Sequence, residues 1–354
     1  MLPLRELLTT FADCFGPPGG EGPVAHLLRQ HLQSFCHLHR DGLGSVLADK
    51  TGTQARPRLL LAAHLDEIGF MVQGITAQGY LRLQALGSWE ASLLPGQRLL
   101  IQTANGFREG VVAALPVHFR TENSKPLKME ELLVDIGAAS PPEVQALGVG
   151  LGDLAVPHAG LGILNEHYLV HKAWDDRVGV AAMVAVLQHF RDRPHPNTLV
   201  AAGTVQEEVG SRGAAAAVEL AKPDLAIVLE GPPADDLPGL SPDPPQGALG
   251  RGVQIRLYDP SLIVPQKLWR WVVDLAQQRQ IPHQLAVRRS GATDARVIHV
   301  AHGGIPTIVL GAPVRYAHSP ASIIHVADVE ALVALTVAII EALDDARLHE
   351  LFVS

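Results

Sequence analysis

Several stretches of this chain are apolar with scarcely an interruption: LLLAA at 59–63, LVAAGTV at 199–205, LAIVL at 225–229 and TIVLG at 307–311. A strand with one face in water alternates polar and apolar residues, whereas an unbroken apolar run suits a strand covered on both faces. Segments of helical periodicity separate these runs, including HKAWDDRVGVAAMVAVLQHF, AAAAVELA, WRWVVDLAQQ and VEALVALTVAIIEAL. Strand–helix alternation of this kind predicts an α/β fold, a mostly parallel sheet flanked by helices. Two helices are expected before the first run, in LRELLTTFADCF and EGPVAHLLRQHLQSF, with Gly16-Pro17-Pro18-Gly19-Gly20 breaking the chain between them.

The texture changes between about residues 72 and 165. GYLRLQAL, QRLLIQTANGFREGVVAAL, ELLVDIG and, at the far border, LNEHYLV are short β-like segments punctuated by Gly, Pro and Asn. The expected organisation is therefore one α/β domain made of residues 1–71 and 166–354, with a small β-rich, barrel-like domain at 72–165 inserted into it. A Pro-rich loop, GPPADDLPGLSPDPPQGALG at 231–250, follows an apolar strand end and is expected to border a site.

Charge and cysteine content narrow the function. A net charge of −8 without any Lys/Arg-rich block gives no footing for a nucleic-acid or anionic-membrane partner. The two cysteines, Cys14 and Cys36, sit in no metal-knuckle spacing, and the N-terminal segment lacks a basic stretch followed by a continuous apolar one. A cytoplasmic chain is expected.

Ligands of open α/β sheets bind at the carboxyl ends of the strands, so the residues that follow each apolar run carry the information. LLLAA leads into His64, Asp66 and Glu67; LVAAGTVQ into Glu207 and Glu208; LAIVL into Glu230; TIVLGAPVRYA into His318; and the helix beginning near Asp175 opens with Asp175 and Asp176. Singly, each has an ordinary reading as a turn histidine, a helix cap or an acidic first turn. Together they deliver two histidines and several carboxylates, without thiolates, to one rim. That donor set suits divalent Zn, Co or Mn. Two such ions ~3.5–4 Å apart need a bridging carboxylate. Glu207 and Glu208 would repel each other as bare neighbours; a cation at one and a proton-accepting role for the other removes the difficulty. His64 with Asp66 two residues on also offers a ligand and the carboxylate that fixes its tautomer.

On these residues the sequence resembles the M42 metallo-aminopeptidases along nearly its whole length. The likeness is carried by FGPPGGEGPV, AAHLDEIGF, LLVDIGAAS…ALGVGLGD, HKAWDDRVG, TVQEEVGSRGA, DLAIVLEG…ADDLPG, ATDARVIH and VRYAHSPASIIHVADVE. The resemblance implies an aminopeptidase with two divalent ions per subunit, removing N-terminal residues from peptide substrates. It implies that His64 and Glu230 bind the first ion, Glu208 and His318 the second, and Asp175 both. Glu207 is then the general base acting on a metal-bound water, and Asp66 the catalytic residue that supports His64. It also implies a homo-oligomer in which the inserted domain forms dimers that build a dodecamer. The chain departs from the family at Glu230, where Asp is frequent, and at SGATDA, where a GGTDA-like run is expected. Two rival readings are a deacylase or carboxypeptidase-type hydrolase on the same core, with Arg289 or Arg315 gripping a substrate carboxylate, and a non-catalytic assembly protein.

Overall fold

The computed structural model describes residues 3–119, 127–239 and 244–352. The chain starts with α1 (Leu4–Asp13) and α2 (Gly22–Leu32), followed by β1 (His37–Arg40), β2 (Val46–Thr51) and β3 (Arg58–His64). It then enters β4 (Gly69–Ile75), β5 (Leu81–Leu86), β6 (Arg98–Thr103), β7 (Gly106–Val112), β8 (Leu133–Asp135), the short α3 (Pro141–Ala146) and β9 (Leu154–Pro157). It returns through β10 (Gly162–Ile163), β11 (Tyr168–His171), α4 (Trp174–His189), β12 (Thr198–Thr204), α5 (Arg212–Ala221) and β13 (Leu225–Glu230). The rest is β14 (Val253–Asp259), β15 (Leu262–Ile263), α6 (Gln266–Gln278), β16 (His283–Val287), α7 (Ala295–Ile298), β17 (Thr307–Gly311), β18 (Ser322–His325), α8 (Val326–Ala342) and α9 (Asp345–Phe352).

The large sheet runs β1-β2-β12-β3-β13-β17-β14-β15, with β16 alongside β14. Its centre, β12-β3-β13-β17, is parallel, and these are the strands with continuous apolar runs; β12, β13 and β17 are buried at every position. Helices supply the cover. α4 packs on β3 and β13 and against α1 and α8, whereas α5 packs on β12 and against α7. α4 is apolar almost all round (Val178, Val180, Ala181, Met183, Val184 and Leu187 are all fully buried), the pattern of a helix enclosed by its neighbours. Each such Val or Leu contributes on the order of 1.5–3 kcal/mol by leaving water.

The sheet is mixed where the sequence predicts mostly parallel strands. β1–β2 and β14–β15 are antiparallel pairs, and β2 and β14 join the parallel centre antiparallel to β12 and β17. Those edge strands are short or partly wet, so they lack the unbroken apolar signature. The β-rich segment closes into a barrel, β4-β5-β8-β7-β6-β9, around Phe70, Val72, Leu83, Leu99, Ile101 and Val134. Its first strand begins at Gly69, three residues before the expected border at 72. LNEHYLV lies outside the barrel: β11 pairs with β18 from near the C-terminus, a partnership no local spacing reveals.

Candidate metal centre and active site

Register brings the site together. His64 at the end of β3 stands opposite Thr204 at the end of β12, and β13 is held alongside β3, so the parallel strands finish near one level. Glu230 is the last residue of β13. Asp175 enters at the head of α4, where Asp175 and Asp176 have non-helical backbone angles and the peptide between them is cis. The close approach of Asp175 to β13 needs Gly231, since a Cβ there would meet Asp175 Cα and Trp174 O at 2.9 Å. The barrel reaches the same rim: Ser88 O, beyond β5, lies 3.1 Å from His318 Nδ1.

Asp175 turns one carboxylate oxygen to each histidine. Its Oδ1 is 3.2 Å from His64 Nε2, and its Oδ2 is 3.3 Å from His318 Nε2. Glu230 Oε1 stands 3.6 Å from His64 Nε2, and Glu208 Oε1 stands 3.3 Å from His318 Nε2. Ligating atoms of His64, Asp175 and Glu230 thus lie within 4.8 Å of one another, as do those of Asp175, Glu208 and His318. Each imidazole also directs Nδ1 at a backbone carbonyl, Asp66 O at 3.0 Å for His64 and Ser88 O for His318. A proton on Nδ1 satisfies those carbonyls and leaves the Nε2 lone pair facing carboxylate oxygens. Lone pairs of both partners then point at each other unless a positive charge lies between them.

The electrostatics tell the same story. Burial raises the pKa of Glu208 and takes Glu230 up to about 7; burial also lifts Glu207 well above its usual range, with Asp294, Glu230 and Glu208 adding repulsion. Burial opposes charge on His318 too, yet the carboxylates of Asp175 and Glu208 that face its Nε2 carry its pKa to about 11. For His64, burial is likewise outweighed by Asp175, Asp66 and Glu230. Burial works against charge on Asp175 as well, but His318 and His64 hold it well below the usual carboxylate range; three glutamates pushed toward protonation around that one ionised group mark a cluster short of positive charge. Glu208 Oε1 is moreover buried without a hydrogen bond, a costly state for a carboxylate. The residues fit a pair of divalent cations.

Asp66 faces both His64 and the turn that carries the two glutamates. Its carboxylate lies 3.5 Å from His64 Nδ1, but its two short bonds accept the backbone N–H of Glu207 and of Glu208, one on each oxygen, at 3.0 Å. Glu207 and Glu208 therefore leave a turn and not a strand, the preceding Gln206 having a left-handed φ of 58°. The Glu207 side chain meets the Ser211 hydroxyl at 3.4 Å. Asp176 ties α4 to β3 by accepting from His64 N at 3.1 Å and Gly179 N at 3.0 Å.

Sequence reasoning passed over a buried ion cluster next to these residues. Lys172 Nζ donates to both oxygens of Glu67 at 2.6 and 2.7 Å, and Arg177 reaches Glu67 Oε1 at 3.4 Å. Only the position of these charges inside the motifs HLDE and HKAWDDR could have pointed to them. A cavity of about 210 Å³ opens beside the histidine–carboxylate cluster, lined by Glu230, Pro232, Arg256, Arg288, Thr293 and His318 among others. Of the 231–250 loop, Gly231, Pro232 and Pro233 line it, and residues 240–243 lie outside the described residues. Asp235 pairs with Arg288 at 2.6 Å and Asp236 with Arg315 through two hydrogen bonds, whereas Asp294 accepts from Thr204 Oγ1 at 2.5 Å.

Comparison with known proteins places the chain in a clear setting. Residues 44–335 match the family model described as M42 glutamyl aminopeptidase. The glutamyl aminopeptidase of Lactococcus lactis is 32% identical over 94% of each chain. Among solved structures, the TET aminopeptidase of a marine sediment archaeon (Thaumarchaeota) aligns over 98% of each chain with a TM-score of 0.95 and 35% identity. The Pyrococcus horikoshii TET1 peptidase, which can assemble into a tetrahedron or a large octahedral shell, aligns over 96% of this chain and 100% of its own with a TM-score of 0.86 and 30% identity.

Proposed function

The chain belongs to the M42 glutamyl aminopeptidase family, a family of metal-dependent hydrolases that act on peptide bonds, and we propose that it removes N-terminal residues from peptides at a centre of two divalent cations. The observation that carries this reading is Asp175, with one oxygen toward His64 and the other toward His318. His64 and Glu230 would complete one cation site, and Glu208 and His318 the other. Zn, Co and Mn all suit imidazole and carboxylate donors. When bound, such ions supply Lewis acidity, making a water more acidic and stabilising the charge that develops on the scissile carbonyl.

The chain's own groups do the rest. Glu207 belongs to neither ligand set and is the chain neighbour of Glu208, which belongs to one. As general base it takes a proton from the attacking water onto its carboxylate and returns it to the leaving amine. Asp66, through the two backbone N–H groups it accepts, fixes where Glu207 and Glu208 leave the turn. The cavity beside the cluster receives the first residue's side chain. Arg256 and Arg288 stand on its wall, each already engaged by an aspartate, Asp259 at 3.1 Å and Asp235 at 2.6 Å, so the wall offers no free cation to an acidic side chain.

The carboxypeptidase-type alternative loses its anchor, because Arg315 is already engaged by Asp236 and Arg289 points to solvent. For assembly, we read the barrel as the contact between copies. It exposes Val111, Leu115 and Phe119, the last 72% accessible, which is unusual for a large aromatic side chain left in water. No helix among the described residues is long and apolar enough to cross a membrane.

Hydrolysis of aminoacyl chromogenic amides, with and without an N-acetyl block, by protein stripped of metal and reloaded with Zn, Co or Mn tests the proposal. Metal-dependent cleavage of free-amine substrates alone is expected. Cleavage of blocked substrates, or of none under any metal, would overturn it.

A further inference from the structure

The turn that carries Glu207 and Glu208 directs three consecutive backbone N–H groups into carboxylates. Glu207 N and Glu208 N go to Asp66, and Gln206 N goes to Glu21 Oε1 at 3.0 Å, across 185 positions of sequence. Glu21 is 5% exposed and is used by no step described above. The same oxygen accepts Gly19 N at 3.0 Å. Gln206 is held at a left-handed φ, which a residue other than glycine keeps only where its surroundings over-determine it.

The platform that presents Glu21 is itself fixed. The GPPGG loop before it offers Gly16 O to Glu67 N at 3.0 Å and to Arg177 Nη2 at 3.4 Å. Gly20 is packed so closely that a Cβ would meet Leu154 Cδ1 of the barrel at 2.8 Å and Pro17 Cδ at 3.2 Å. Glu21 thus joins the N-terminal loop to the turn by one buried acceptor. Without it, Gln206 N would lose its partner, and the left-handed residue would relax toward the commoner right-handed region. The vectors on which Glu207 and Glu208 leave the turn would move with it.

We infer that Glu21 is a positioning residue for Glu207, fixing through the Gln206 backbone where the base carboxylate stands. The inference rests on the reading of Glu207 as the base. It is the acceptor oxygen that matters, so glutamine, which keeps a carbonyl oxygen at the same reach, serves in its place. Aspartate, one methylene shorter, does not.

The test compares Glu21→Gln, Glu21→Asp and Glu21→Ala with wild type and Glu207→Gln, all full-length and saturated with Zn. It follows kcat and KM on a free-amine chromogenic amide, bound metal, and thermal midpoint. Expected for Glu21→Ala and Glu21→Asp is a kcat loss of about 100-fold, the scale of an ångström of misplacement, with KM little changed. Glu21→Gln keeps most of the wild-type kcat. Should Glu21→Ala fail to fold, the aspartate and glutamine pair carries the same comparison. Wild-type kcat in the folded alanine or aspartate variant overturns the inference, as does a glutamine variant as impaired as they are. A loss cured by raising Zn further would place the effect on Glu208 and also overturn it. An active Glu207→Gln would instead remove the base reading itself; an inactive one beside a fully active Glu21→Ala would remove only the role of Glu21.

Discussion

Lys172→Met probes whether the buried charges beside the site hold it together. The lysine side chain is 5% exposed, and its ammonium group makes both of the short contacts to Glu67, at 2.6 and 2.7 Å. Arg177 is a poor substitute. Its Nη1 is committed to Phe11 O at 2.6 Å and Cys14 O at 2.9 Å, and its Nη2 is shared between Gly16 O and Glu67 at 3.4 Å. Methionine fills a similar volume, so no large void is created and the loss is electrostatic. Removing one partner of a buried pair costs roughly 3–5 kcal/mol, and the residual Arg177 contact argues for the lower end. With an unfolding entropy of about 2.1 cal/mol/K per residue, a chain of 354 residues should melt about 4 °C lower for a loss of about 3 kcal/mol. Calorimetry of the metal-loaded protein reads this directly. Adding Glu67→Gln to the variant removes the stranded charge and should recover more than half of the loss. A midpoint unchanged by Lys172→Met would refute the reasoning. So would a double variant that falls by the sum of its two single changes, since partners in contact couple.

Glu207→Gln should abolish turnover while metal content, measured by elemental analysis, stays near that of wild type; loss of metal would make Glu207 a ligand and contradict its role as base. His318→Ala should lower the metal bound per subunit, and an unchanged stoichiometry would remove His318 from the ligand set.

Much of the site could be read in the sequence because it sits just past strands whose burial on both faces gave them unbroken apolar runs. His64 and Glu230 close such strands, and Asp175 opens the helix that covers them. The edges of the large sheet could not be read so. β1 alternates only weakly and is half wet, and the antiparallel attachment of β14 to β17 is decided by a crossover, not by composition. The turn at Gln206 was equally hidden. Glutamine carries no signal for left-handed backbone, and the acceptors that enforce it, Glu21 and Asp66, come from distant parts of the chain. The Lys172–Glu67 pair escaped notice for a related reason: a lysine and a glutamate both look like surface residues until the fold encloses them.

The two oxygens of Asp175 have one further consequence. In the proposed two-cation centre, a carboxylate shared in this way would make the affinity of each half depend on whether the other is filled, and the dependence would be reciprocal. The first cation to arrive would freeze a carboxylate rotor that the second no longer has to order, while bringing the second up against a like charge. Entropy then draws the two events together and Coulomb repulsion pushes them apart. A calorimetric metal titration of the stripped protein would show which prevails: one sharp step for a centre that fills as a unit, or two separated steps for one that fills in order.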